Sequence, residues 1–420
     1  MCCFLNMTAM EIQLGLKENW KQFWLLVLIN ALVGGMIGLE RTLLPEIAAR
    51  EFHLTSTSVI LSFIIVFGLF KAITNYFTGA FANRFGRKKL LVFGWLIGLP
   101  IPFILMYADS WNWIIAANIL LGINQGLTWS STVTMKIDLV GEKERGFAMG
   151  LNEFAGYAAV GLVAFLTSVI AGHYGLRPYP FIIGIVLAVM GTVLSFFLVK
   201  DTSAYVKKEM LQHKNVPLLR NVFAETSWSH KNLGTVTQAG LVNNLNDAMV
   251  WGIMPVLLVQ KNFSIEQIGI ITAIYPVVWG FGQLVTGKLA DIYCKKDLLF
   301  LGMLMQGIAI VMIFFSHNII HYIVISIVLG IGTAIVYPTF LSAIAEDTNP
   351  QQRAKSLGIF RFWRDLGYVL GALITGVFTD LISIGFSIVL IGILTVISSV
   401  IIQCRMYCKE KAKRVLGIAL

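Results

Sequence analysis

The sequence predicts an all-α membrane protein whose twelve transmembrane helices form two pseudo-symmetric six-helix bundles, and three observations carry that prediction. Of 420 residues, 57% are hydrophobic and only 13% charged, where a soluble domain carries about 25% charged residues. Apolar stretches of about twenty residues, the length that crosses a hydrocarbon core of about 30 Å, recur along the whole chain. A pattern in the first half also returns in the second at a constant offset of 208 positions.

The predicted spans are 22–44, 57–82, 89–108, 112–136, 146–171, 179–199, 233–259, 268–290, 298–316, 320–344, 355–379 and 382–403. The opening stretch lacks the basic start, apolar middle and small-residue cleavage site of a signal peptide, so the first span is expected to stay in the protein. Lys and Arg gather in segments that alternate to one side: the N-terminus, "NRFGRKK", "KIDLVGEKER", residues 200–232, "KLADIYCKK", "NPQQRAKS" and the C-terminal "CRMYCKEKAKR". Only Arg50, Arg177 and Lys261 lie in the opposite loops. Basic loops face the cytoplasm. Both termini are therefore expected there, in a multi-pass protein of the inner or plasma membrane. The net charge of +10 reads as topology, and a nucleic-acid partner is not implied. Cys2, Cys3, Cys294, Cys404 and Cys408 all fall on the reducing side, which predicts no disulfide.

The repeat is explicit. "GAFANRFGRKKLL" at Gly79 matches "GKLADIYCKKDLL" at Gly287, "LGINQGLTWS" at Leu121 matches "LGIGTAIVYP" at Leu329, and Arg145 with Gly150 matches Arg353 with Gly358. Residues 1–199 form the N-terminal six-helix bundle of this reading and 233–420 the C-terminal one. Residues 200–232, charged and interrupted by Pro217, form a cytoplasmic linker with a surface helix. A duplicated unit places a site at the interface of its halves, where rocking opens it alternately to either side.

"GAFANRFGRKKL" resembles the helix 2 to 3 signature of the major facilitator superfamily, G-x-L-a-D-R-x-G-R-K, and its weaker copy stands at the corresponding place in the second half. The resemblance spans essentially the whole chain. It implies a secondary active transporter that moves a small-molecule substrate by alternating access. In that family the acidic motif residue joins a charge network that latches the outward-facing state. Here Asn83 takes its place, with Asp291 in the copy, among Gly79, Arg84, Gly86, Arg87 and Gly287 of a cytoplasmic gate motif. Arg84 and Arg87 are expected to meet Asp138, Glu142 or Glu144. The chain is distantly similar to drug/proton antiporters: Gln125 and Gly126 match their helix 4 pattern, but Gly122 stands where they carry an Arg, and their proline-rich helix 5 signature is missing. Coupling to protons is expected, and direction is left open, with a slight preference for efflux and, as the alternative, proton-coupled uptake of an anionic metabolite or metal chelate.

Charges inside the spans mark the site. Arg41, Lys71, Arg361 and Arg364 face Glu40, Glu153, Asp247 and Asp365, each costing about 2.5–3.5 kcal/mol or more at a helix centre unless it meets a cavity or a partner. They lie on predicted helices 1, 2, 5, 7 and 11, which line the central cavity in the family resembled. A helix starting near Lys355 carries Arg361 about 9 Å and Asp365 about 15 Å into the membrane. Arg361 and Asp365, four positions apart, are either an intrahelical pair or substrate contacts. Arg364, without an evident intrahelical partner, is expected at substrate or gate. Glu153, Asp247 and Asp365 are the proton-coupling candidates, and Glu40 with Arg41 an outer gate. Gln125, Trp129, Asn152, Tyr157, Asn243, Asn244, Trp251, Tyr275, Trp279, Tyr337 and Tyr368 complete the cavity inventory. The two arginines favour an anionic or zwitterionic solute over a lipophilic cation.

Gly122/Gly126, Gly146/Gly150 and Gly367/Gly371 have the spacing of helix contacts, and Pro276 and Pro338 fall within predicted helices 8 and 10. "GQLVTGKL" at 282–289 nearly matches a phosphate loop but lacks its final Ser or Thr and lies in a span. No hydrolase or metal-spaced motif appears, so no cofactor or metal is implied, and the chain is not expected to be an enzyme. A channel is the rival class, opposed by the duplication and the paired charges. A monomer in the lipid bilayer is expected.

Overall fold

The computed structural model describes residues 13–141, 145–212, 217–263 and 265–408. A helix covers each predicted span: α1 Trp20–Arg41, carried on by Leu43–Arg50; α2 Ser62–Phe85; α3 Arg87–Gly98, carried on by Ile101–Tyr107; α4 Trp111–Val140; α5 Arg145–Tyr174; and α6 Ile182–Phe197. After the linker come α7 Lys231–Gln260, α8 Ile265–Ile292, α9 Lys295–Phe314, α10 Ile319–Asp347, α11 Pro350–Leu381 and α12 Ile384–Arg405. Among the described residues, nine helical stretches are long and apolar enough to cross a membrane. The long helices outside that set, α4, α7 and α11, bury many Asn, Gln, Ser, Thr and charged side chains. Phe93, Phe103, Phe165, Val186, Val285 and Ile308 point outward. The chain is thus apolar outside and polar within, the arrangement a hydrocarbon solvent demands.

Small residues decide how closely the helices approach. Gly122 and Gly126 lie against the backbone of α2 at Phe67 and Lys71, and Gly367 and Gly371 against that of α7 at Leu241 and Leu245. At the basic end of the bundle α2 crosses α11, and a Cβ on Gly79 would meet the Ala354 carbonyl at 2.6 Å and the Gly358 Cα at 2.8 Å. There α8 also crosses α5, where a Cβ on Gly287 would meet the Gly146 carbonyl at 2.8 Å and the Gly150 Cα at 3.1 Å. Gly79 and Gly287 are repeat equivalents, as are Gly150 and Gly358. The two crossings are therefore one contact made twice.

The linker departs from expectation. Its helix, Ser203–Gln212, is more than a surface helix, because Glu209 is buried. Cys294 and Cys408 also form a disulfide, against the expectation from compartment. The fold supplies the reason: the α8–α9 turn and the segment after α12 return to the same end and meet there. Pro276 and Pro338 lie inside continuous helices.

Candidate translocation site

Asp365 is the hub between the bundles. Its Oδ1 accepts from Arg364 Nε at 2.9 Å, Arg364 Nη2 at 2.8 Å and Asn244 Nδ2 at 3.0 Å, with Lys71 Nζ at 3.9 Å. Asn75 donates to its other oxygen. The helix-internal pair is thus Arg364–Asp365 and not Arg361–Asp365, and Arg364 does have a partner on its own helix. Long guanidinium stems reach an adjacent residue when Asn244 and Asn75, from α7 and α2, fix the carboxylate in place.

Arg361 is left differently placed. Its Nη1 donates to Ser130 Oγ at 2.6 Å, and Ser130 donates in turn to Asn75. Among the described residues its Nε and Nη2 have no hydrogen-bond partner, although the residue is only 2% exposed. Among the described residues no carboxylate is within ion-pair reach of it.

The two remaining deep carboxylates are held by neutral groups. Glu153 Oε1 accepts from Trp129 Nε1 at 3.2 Å and Asn152 Nδ2 at 2.5 Å, and its Oε2 has no partner. Asp247 Oδ1 accepts from the Tyr275 hydroxyl at 2.5 Å, and its Oδ2 likewise has none. Toward the other end of the membrane, buried Glu40 adjoins Arg41, whose guanidinium lies 5.2 Å from the ring centroids of both Phe67 and Trp251. Arg41 thereby touches both halves of the chain.

Rings surround these charges. Tyr157 and Trp279 stack with centroids 3.6 Å apart; Trp129 lies 5.2 Å from Tyr157, and Tyr337 5.0 Å and Tyr275 5.6 Å from Trp279. The Tyr157 and Tyr337 hydroxyls share a hydrogen bond of 2.8 Å between α5 and α10. Not every predicted cavity residue joins this group. Gln125 donates to the Val33 carbonyl at 2.9 Å and ties α4 to α1, while Asn243 is buried with neither amide atom partnered.

A family model described as the Major Facilitator Superfamily matches residues 23–232 and 236–417. The chain belongs to the Major Facilitator Superfamily. It is therefore a multi-pass membrane protein of a transporter family. The superfamily's multidrug resistance protein MdtG of Salmonella paratyphi C (strain RKS4594) is 25% identical over 381 residues, 87% of this chain and 90% of the relative. MdtG of Salmonella arizonae matches at the same level, 25% identical over 87% of this chain and 90% of its own. The crystal structure of the human organic anion transporter MFSD10 (TETRAN) superposes with a TM-score of 0.74 at 14% identity, covering 92% of this chain and 99% of that one. At that identity the likeness is one of fold.

The superfamily's gate motif now has a geometry. Gly86, at φ +83°, makes the α2–α3 turn that a side chain would strain. Arg87 Nε bonds Asp138 Oδ2 at 3.1 Å, and its Nη2 bonds Asn83 Oδ1 at 3.0 Å, so Arg87 meets the first of its three expected partners. Glu142 and Glu144 lie outside the described residues, and Arg84 is exposed over the Phe85 ring. Asp291 accepts from the Gly146 and Phe147 N–H groups at 3.0 and 3.2 Å and caps α5. Asn83, its equivalent, instead donates to the Gln351 carbonyl at 3.3 Å. The two copies therefore grip their partners differently.

Several polar residues of the site escaped the sequence reading. Lys136, counted there with a basic loop, is buried in α4 and donates to the Leu26 carbonyl at 3.0 Å. Asn75 and Gln283 follow Lys71 and Trp279 by one turn, a spacing that puts them on the same helix faces.

Proposed function

We propose that the chain is a proton-coupled secondary transporter that moves a small organic solute by alternating access, with Glu153 and Asp247 as the proton carriers. One observation carries the coupling: each carboxylate is fully buried, is held by neutral donors on one oxygen, and keeps the other oxygen without a partner. Such a group can gain and lose a proton without breaking an ion pair, as Asp365 cannot. The repeated glycine crossings close the basic end, which the positive-inside pattern assigns to the cytoplasm. Parting both would open that face, and Arg41 with Trp251 stands where the opposite gate would close. The multidrug resistance relatives favour export.

The test is reconstitution in liposomes that carry a pH gradient and a luminal pH dye. The wild type should accumulate a transported solute against the gradient with saturation, while Glu153→Gln or Asp247→Asn should retain solute exchange and lose gradient-driven accumulation. Unsaturable flux with a steady current would refute the carrier, and unchanged accumulation in both variants would remove these residues as proton carriers.

A further inference from the structure

Away from the basic end, the charges buried between the bundles do not cancel. Arg41, Lys71, Lys136, Arg361 and Arg364, five cations, stand against the four carboxylates of Glu40, Glu153, Asp247 and Asp365. Few of these groups are ion-paired. Lys71 and Arg364 share Asp365. Lys136 donates to the Leu26 carbonyl. Arg361 has one neutral partner, Ser130, and two donor nitrogens left over. A buried guanidinium fork in that condition matches a carboxylate or another planar anion, which it takes through two parallel hydrogen bonds.

Rings stand next along both helices that hold the fork. Ser130 adjoins Trp129 in the chain, and one turn along α11 from Arg361 the guanidinium of Arg364 lies 5.4 Å from the Tyr337 ring. Trp129, Tyr157, Trp279 and Tyr337 form one connected set of rings in which the Trp279 Nε1 has no acceptor. Trp129 and Tyr337, two of the four rings, already carry the protein's own cations. Lys71 lies over Phe67, Trp129 and Tyr368 at 5.3 to 5.7 Å, Arg364 over Tyr337 and Phe360, and Arg41 over Phe67 and Trp251.

We infer that the solute is an organic anion with a planar aromatic body, its carboxylate or equivalent group held by Arg361 and its ring set among Trp129, Tyr157, Trp279 and Tyr337. This rests on the transporter reading above and narrows its substrate class. The Tyr157–Trp279 stack joins α5 to α8 across the two halves, so a ring entering there replaces one protein ring by another and costs little apolar contact. The anion supplies the ion-pair partner that Arg361 lacks.

Four probes test the inference on the purified full chain: 2-naphthoate, acetate, cyclohexanecarboxylate and (2-naphthylmethyl)trimethylammonium, each read by thermal shift and by quenching of tryptophan fluorescence. 2-Naphthoate should bind saturably, at least about tenfold more tightly than either non-aromatic acid or the aromatic cation, a difference of about 1.4 kcal/mol. Arg361→Gln should weaken 2-naphthoate at least about tenfold while its unliganded melting temperature holds or rises, because an unpaired buried charge has gone. Arg361→Lys, which keeps the charge and loses the fork, should fall between the two. An unchanged affinity in Arg361→Gln, equal or tighter binding of the cation, or no 2-naphthoate binding at millimolar concentration each overturns the inference. Gradient-driven accumulation of a cationic solute would overturn it while leaving the transporter reading intact.

Discussion

Arg145 and Arg353, equivalent residues of the two repeats, close on one carboxylate. Arg145 Nη2 lies 2.9 Å from Glu209 Oε1, and Arg353 contacts both Glu209 oxygens at 2.9 and 3.0 Å. Glu209 belongs to the linker helix and is 1% exposed. A segment between two domains is thus built into the contact that closes the basic end. Removing its charge takes from two buried guanidinium groups the carboxylate they share. Glu209→Gln is expected to weaken this closure by about 3–5 kcal/mol, the usual cost of taking one member from a buried ion pair. Hydrogen exchange at the start of α5 and α11 should rise together. Exchange that rises at one helix only would show that the carboxylate serves one half and not both.

The glycine crossings make a paired prediction. Gly79 and Gly287 each face backbone, so there is no flexible side-chain end to move aside. Gly79→Leu and Gly287→Leu should each cost the closed arrangement about 1–3 kcal/mol, the range for overpacking a tight contact. Both should increase alkylation of a cysteine introduced at Ser131 by a reagent applied from the basic end. If one variant did so and the other left alkylation unchanged, the two crossings would not be energetically equivalent.

The helices were legible because lipid sets both their length and their composition, and the repeat was legible because gate-motif residues such as Gly79 and Gly287 serve the same contact twice. Legibility stopped where long side chains choose among neighbours. Arg361 and Asp365 have the spacing of a helical pair, yet Asn244 and Asn75 on other helices hold the carboxylate where Arg364 reaches it. Lys136 followed the loop rule for basic residues, although its seven-residue spacing from Trp129 put it on the inward face of α4. Glu209 lay in a polar linker with nothing in its local pattern to show that two distant arginines would meet it.

The contrast between carboxylates is open to measurement. Asp365→Asn removes the partner of both Arg364 and Lys71, and a loss of about 3–5 kcal/mol is expected, seen as a lower melting temperature in detergent. Glu153→Gln and Asp247→Asn break hydrogen bonds to neutral groups and no ion pair within 4 Å, and each should change stability by about 1 kcal/mol. Equal destabilisation by all three would mean that Glu153 and Asp247 are structural charges, which would remove the basis for assigning them the proton.

Asp201, beyond the end of α6, gives a prediction in pH. Burial alone would raise its carboxyl, but the Ser203 hydroxyl, the N–H groups of Lys88 and Ser203 and the charge of Arg87 outweigh that effect and hold it below the usual carboxylate range. The Lys88 N–H lies 3.0 Å from Oδ2, so the side chain secures the turn at Gly86 from which α3 starts. A carboxyl whose folded value lies below its unfolded one contributes stability that is present above the unfolded value, 3.8, and is lost as pH falls through the folded value. Asp201→Asn should therefore melt below the wild type at neutral pH, and the gap should narrow as the pH drops through and beneath the carboxylate range. The group is half exposed, so the difference should be modest and should shrink in salt. A gap that stayed constant down to the lowest pH at which the protein remains folded would show that the hydrogen bonds to Asp201 do not depend on its charge.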